Sequence, residues 1–263
     1  TGFVLRELID AGLMHDDVMT ILGQGLRAHA TEPLFDEAGK VTWKATPKDS
    51  GDDTVLRPAA NPFSADGGLK LLQGNLGRSV IKVSAVKHEH RAVQAPAIVF
   101  HSQEAFMKAF KAGELDKDFV AVLTFQGPRA NGMPELHALT PALGILQDKG
   151  RHVALVTDGR MSGASGKVPA AIHVTPEVLA GGPLGFVRTG DMIRLDAEAG
   201  ILEALVSETE WASRTSDTAN LAGNQTGMGR ELFSVFRANV SAAEEGGTSF
   251  GLPPILENEK ATV

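Results

Sequence analysis

The chain contains no cysteine. That excludes disulfides, thiolate nucleophiles and thiolate metal ligands among its own residues, and it leaves the redox compartment open. No stretch approaches the roughly 20 consecutive apolar residues that a membrane-spanning helix needs. Positive charge is not in excess: 25 Lys and Arg stand against 32 Asp and Glu, a net charge of −7. A nucleic-acid surface is therefore not expected, because its electrostatic footprint is basic. An anionic small molecule can still be bound, but only through local cations and backbone amides. Internal repeats and low-complexity tracts are also missing.

What is present suits one large domain or two small ones. There are 263 residues, 43% of them hydrophobic, with a mean hydropathy of −0.03. That is enough apolar material for a substantial core. Leu5, Leu8, Ile9 and Leu13, then Val18, Ile21, Leu22 and Leu26, are spaced as two helices over 3–29. Gly12 and His15-Asp16 separate them, with Asp16 as N-cap of the second. Residues 31–67 read as an irregular polar linker, marked by Glu32-Pro33, the run from Lys48 to Asp53, and Asn61-Pro62. A domain boundary is expected at residue 68, giving segments 1–67 and 68–263.

Beyond it, short β runs dominate: 80–83, 97–100, 119–123, 153–156, 193–196 and 201–206. The last two flank Glu198-Ala199-Gly200, a hairpin turn. Helices are expected at about 102–112, starting at Ser102 and Glu104, at about 136–148, and near 229–244. Strands interleaved with helices predict a mixed α/β domain rather than a sandwich.

Three glycine-rich loops carry the chemistry. The first follows Val153–Val156 and runs Thr157-Asp158-Gly159-Arg160-Met161-Ser162-Gly163-Ala164-Ser165-Gly166-Lys167. Continuous apolar runs fit strands buried on both faces, and ligands often bind beyond the carboxyl ends of such strands. The glycines let backbone amides approach an anion. Arg160 and Lys167 add charge, and Ser162 and Ser165 add hydroxyls. A tight solvated turn accounts for the same residues.

The second loop, Gln126 to Leu136, also follows an apolar run. Its Glu135, just after Pro134, reads as a residue of a first helical turn. It suits either the helix dipole or a hard divalent cation, which prefers oxygen donors. The third pairs Gly67-Gly68-Leu69-Lys70 with Gly74-Asn75-Leu76-Gly77-Arg78, and fits a hairpin or a phosphate-facing loop. His88-Glu89-His90 would put both imidazoles on one face of a strand as a metal pair, but also fits a solvated turn. His173, after Ala170-Ala171-Ile172, reads as a hydrogen-bonded core residue.

Together these motifs resemble the dihydroxy-acid and 6-phosphogluconate dehydratase family. The resemblance rests on Val156-Thr157-Asp158-Gly159-Arg160-Met161-Ser162-Gly163, His173-Val174-Thr175-Pro176-Glu177, Gly181-Gly182-Pro183-Leu184, Gly132-Met133-Pro134-Glu135 and Gly190-Asp191-Met192-Ile193. Gly67-Gly68-Leu69 with Gly74-Asn75-Leu76 belongs to the same pattern. The stretches 126–137, 162–169 and 75–78 are similar to the phosphogluconate branch, and the likeness covers nearly the whole chain.

The resemblance implies dehydration of 6-phosphogluconate to 2-dehydro-3-deoxy-6-phosphogluconate, the Entner–Doudoroff step. The alternatives are another sugar-acid or dihydroxy-acid dehydratase of the family, or a non-catalytic anion-binding swivel module. The resemblance implies Ser162 as the base, Glu135 as a Mg2+ ligand, and Asp158, Arg160, Ser165, Lys167 and Arg129 as substrate-binding residues, with Lys167 preferred for the phosphate. It further implies a 4Fe-4S iron–sulfur cluster whose cysteines lie outside this chain, in an N-terminal domain that also supplies most Mg2+ ligands. The chain would then be the C-terminal part of a cytoplasmic homodimeric enzyme, inactive alone. Residues 1–67 would be the helical end of the N-terminal domain and its linker, followed by a swivelling, barrel-like β/β/α domain. The partner would be a phosphorylated sugar acid, with no nucleic acid and no membrane.

Overall fold

The structure is a computed structural model that describes residues 1–65, 67–162 and 166–250. It divides into two compact units, Thr1–Gly67 and Gly68–Val263.

In the first unit only one of the two expected helices forms, α1 (Gly2–Asp10). The second is replaced by the small hairpin β1 (Met19–Thr20) and β2 (Gly23–Gln24), followed by a 3-10 turn at Arg27–His29. Asp16 does act as a cap, but across this hairpin. Its Oδ1 accepts from the Leu26 and Arg27 amides at 2.7 and 2.8 Å. Gly23 and Gly25 take φ of 107° and 104°, outside helical space. The expected linker contains the antiparallel hairpin β3 (Thr31–Phe35) and β4 (Val41–Ala45). Asp36 closes its turn by accepting from the Ala38 and Lys40 amides, both at 2.9 Å.

The second unit is a mixed α/β barrel of eight strands, closed in the order β10-β6-β5-β12-β11-β7-β8-β9. These are β5 (Leu69–Gly74), β6 (Gly77–Lys82), β7 (Ala92–Phe100), β8 (Phe119–Leu123), β9 (Val153–Thr157), β10 (Ala170–Thr175), β11 (Met192–Asp196) and β12 (Ile201–Ala204). Strands β7, β8, β9 and β10 run parallel to one another; β5–β6 and β11–β12 are antiparallel hairpins. The third glycine loop is thus the β5–β6 hairpin turn.

The parallel strands explain their own sequences. Val120, Val122, Ala154 and Val156 point into the barrel core, whereas Phe119, Ala121, Leu123, Val153 and Leu155 point outward. The outer set packs against α2 (Gln103–Lys111) and α4 (Leu139–Asp148). Burial on both faces demands an unbroken apolar run. Ser102 caps α2, accepting from the Ala105 amide at 3.1 Å.

Several expectations fail here. Glu135 is not in a helical turn; it forms an isolated parallel bridge with Arg160, and α4 begins only at Leu139. Of the two readings of His88–His90, the turn is the one that forms, as a 3-10 turn. The C-terminal helix shrinks to a short one over Ser234–Asn239, after Gly227, Met228 and Gly229 with positive φ. Among the described residues no helix is long and apolar enough to cross a membrane.

Candidate functional site

The loops after β8 and β9 leave the same, carboxyl end of the barrel, because their strands are parallel and in register from Phe119↔Val153 to Leu123↔Thr157. A buried carboxylate joins them. Asp158 has no exposed surface. Its Oδ1 accepts from the Gln126 amide at 2.9 Å and its Oδ2 from the Val178 amide at 3.0 Å. Burial raises its pKa to about 6, against these two stabilising hydrogen bonds. Asp158 therefore fastens three loops from within the interior. Gly159 follows because a side chain there would meet Gln126 Cβ at 2.6 Å and Leu136 Cδ1 at 3.0 Å.

A second buried carboxylate, Glu177, braces the other loop. It accepts from the Arg129 amide at 2.9 Å and the Ala130 amide at 3.1 Å, at the start of the short helix α3 (Pro128–Asn131). A methyl group on Gly127 would collide with that carboxylate.

On this braced platform stand the two residues singled out for chemistry. Glu135 Oε1 accepts from the Ser162 amide at 2.8 Å, and its Oε2 pairs with Arg160 Nη1 at 2.9 Å. Arg160 Nε donates to the Met133 carbonyl at 2.8 Å, and the Leu136 amide donates to the Arg160 carbonyl at 3.2 Å. Gln103 of α2 donates to the Glu135 carbonyl at 3.2 Å. Arg160 and Ser162 are exposed and Glu135 partly so. The corner offers a carboxylate, a guanidinium and a hydroxyl side by side.

The other expected substrate residues are placed differently. Lys167 pairs with Asp148 at the end of α4, 2.7 Å away, and its carbonyl accepts from Gln147. Its sequence neighbours Gly166 and Val168 line the same crevice as Ser162, but its ammonium is held by Asp148. Arg129 Nε donates to the Val240 carbonyl at 3.1 Å. Ser165 lies outside the described residues.

Residues not singled out in the sequence contribute. Lys82 of β6 lines the same crevice as Ser162, with Met161, Val168 and Ile172. His101, at the end of β7, bonds Thr124 Oγ1 through Nδ1 at 2.8 Å and faces Asp217 through Nε2 at 3.2 Å. Only Glu177 and Gln126 had a sequence signal, as members of the quoted loop motifs. Lys82 is the last residue of β6, where nothing local marks it.

The arrangement bears on two groups the resemblance implies. With no cysteine, these residues do not fit an iron–sulfur cluster. No cluster of three or more His, Cys, Asp or Glu able to hold a metal occurs among the described residues. Glu135 fits a hard cation as a single carboxylate ligand, each oxygen having one protein partner and a further lone pair.

Residues 54–247 match the family described as Dihydroxy-acid/6-phosphogluconate dehydratase C-terminal. The phosphogluconate dehydratase of Pseudomonas aeruginosa is 58% identical over 249 residues, which cover 95% of this chain and 41% of that protein. That of Zymomonas mobilis is 54% identical over 245 residues, 93% of this chain and 40% of the relative. A dihydroxy-acid dehydratase of Ignicoccus hospitalis is 41% identical over 216 residues, 80% and 36% respectively. The chain thus spans about two fifths of the length of these relatives. With its loop motifs joined at one end of the barrel, the chain belongs to the dihydroxy-acid/6-phosphogluconate dehydratase family, as its C-terminal part.

Proposed function

We propose that this chain is the part of a phosphogluconate dehydratase that brings a base and an anion-binding corner to 6-phosphogluconate. The observation that carries this reading is the contact of Glu135 with both Arg160 and the Ser162 amide. In the reaction a proton leaves C2, hydroxide leaves C3, and the resulting enol tautomerises to the 2-keto acid.

Ser162, as its alkoxide, would take the C2 proton. A serine hydroxyl needs nearby positive charge to ionise. Arg160 two residues before it, and Lys82 in the same crevice, supply that charge. Arg160 would bind the substrate carboxylate with its remaining donors. Glu135 orients both partners and would hold the Mg2+. When bound, such a cation stabilises the negative charge that develops as the C2 proton leaves. Asp158 acts from beneath, by holding the loops in place. Arg129 and Lys167 are left for the phosphate only if the substrate reaches them; their present partners argue against it. The iron–sulfur cluster of this reading belongs to the remainder of the enzyme, and no step here runs through it. The same reading makes the enzyme a cytoplasmic homodimer, which sedimentation of the full-length protein tests.

The decisive experiment is an anaerobic dehydration assay on the full-length natural protein, with 6-phosphogluconate beside gluconate and dihydroxy acids. Keto-acid formation only from the phosphorylated acid supports the reading, and Ser162→Ala should lower kcat by at least ~100-fold. Turnover of a dihydroxy acid alone would replace it with the sister activity of the family.

A further inference from the structure

Strand β10 contains an irregularity that the proposed chemistry does not use. Ile172 pairs with Val80 and Thr175 with Arg78, so three steps on β10 oppose two on β6. The extra residue is visible in the core as well. Ala171 and Val174 both line the barrel interior, although strand alternation places only even-numbered separations on one face. His173 absorbs the shift, with φ of +55°. Bulges of this kind re-aim a side chain and recur beside active sites. Without it, position 173 would follow 171 into an apolar interior, where an unpartnered imidazole is costly.

The bulge brings His173 to the site. Its amide donates to the Gly159 carbonyl at 2.8 Å, one residue from Arg160. Its ring is half-buried, and burial first, then the Arg160 charge, hold its pKa below the usual histidine range. The ring is therefore uncharged at neutral pH, a donor on one nitrogen and an acceptor on the other. It also walls a cleft of about 180 Å³ that runs on to Arg78, Ser79, Thr175 and Glu244. A guanidinium beside a neutral ring suits an anionic group beside an uncharged hydroxyl.

We propose that His173 is a specificity residue of this site, hydrogen-bonding a hydroxyl beyond the two reacting carbons of a polyhydroxy acid whose carboxylate Arg160 holds. The inference rests on the dehydratase reading above, and the cleft beyond His173 receives the tail of the acid.

The test uses the full-length protein with His173→Gly and His173→Asn. Glycine takes positive φ freely and asparagine tolerates it, so both variants keep the bulge. Steady-state kinetics are run with 6-phosphogluconate and its 4-deoxy and 5-deoxy analogues, beside thermal unfolding. The expected result is a loss in kcat/KM on the order of 10- to 100-fold for His173→Gly at unchanged Tm, with partial rescue by asparagine. One deoxy analogue should cost the wild type a similar factor and cost His173→Gly almost nothing. Wild-type kinetics in His173→Gly, or an equal loss on all three substrates, overturns the proposal. If the wild type dehydrates no 6-phosphogluconate, the dehydratase reading fails separately, and calorimetry of 6-phosphogluconate binding decides. Weaker binding by His173→Gly than by wild type keeps the role in acid recognition; equal binding, or none by either, ends it.

Discussion

The two units use hydrophobic residues in opposite ways. Among the described residues, Phe3 and Ile9 are the buried apolar side chains of residues 1–67, whereas the barrel unit supplies the rest. Leu13, Ile21, Leu22, Phe35 and Trp43 of the first unit are exposed. What shapes that unit locally is polar: the Asp16 carboxylate on two amides, the Asp36 turn, and Arg6 hydrogen-bonded to Thr46 Oγ1 at 2.9 Å. In the barrel unit, polar staples such as Asp158 and Glu177 come after the core and act on loops that the strands already aim. Apolar spacing therefore reports structure only where a second layer buries it.

Substitutions break this comparison in a definite order. Phe119→Ala removes a fully buried ring between the barrel and its helices. It should cost about 3–5 kcal/mol in denaturant unfolding of the barrel unit. Asp158→Ala strands the amides of Gln126 and Val178 in the interior and should cost about 2–4 kcal/mol. The same group predicts a pH effect with a definite sign. Its folded pKa of about 6 exceeds the ordinary value of 3.8, so the folded state binds more protons between them. Its contribution is full below about pH 4, falls as pH rises towards 6, and is flat above, a loss of up to ~3 kcal/mol. Asp158→Asn should remove that slope from stability measured between pH 4 and 6.5.

Smaller effects sharpen the contrast. Asp16→Ala should raise hydrogen exchange at the Leu26 and Arg27 amides and cost about 1 kcal/mol in the first unit. Phe35→Ala, the exposed counterpart of Phe119→Ala, should stay within about 0.5 kcal/mol. Lys167→Ala breaks an exposed ion pair and should change unfolding by less than ~1 kcal/mol. With the full-length enzyme it should leave the preference for phosphorylated substrate unchanged. A lost preference would return Lys167 to the site despite its Asp148 partner.

Much of the barrel was legible because its signals are local. β8 and β9 are continuous apolar runs, Ser102 announces α2, and Glu198-Ala199-Gly200 turns β11 into β12. The second expected helix does not form: Val18, Ile21 and Leu22 have helical spacing but are exposed, and Gly23 and Gly25 take positive φ. The site was partly legible: Glu135 and Ser162 were named separately, and only packing brings them to 2.8 Å. Lys167 is near Ser162 in sequence, yet its ammonium pairs with Asp148 at the end of α4, a partner no local pattern records.

The amino-acid sequence by itself determined the alternation of strands and helices, the turn positions, the absence of thiolate ligands and the family. These follow from composition, local backbone preference and short motifs. Only the tertiary structure decided which loops meet, that Asp158 is a buried joint, and that His173 leaves the barrel beside Arg160. Those outcomes depend on strand register and burial. They are set by residues tens of positions apart, where no local pattern can record them.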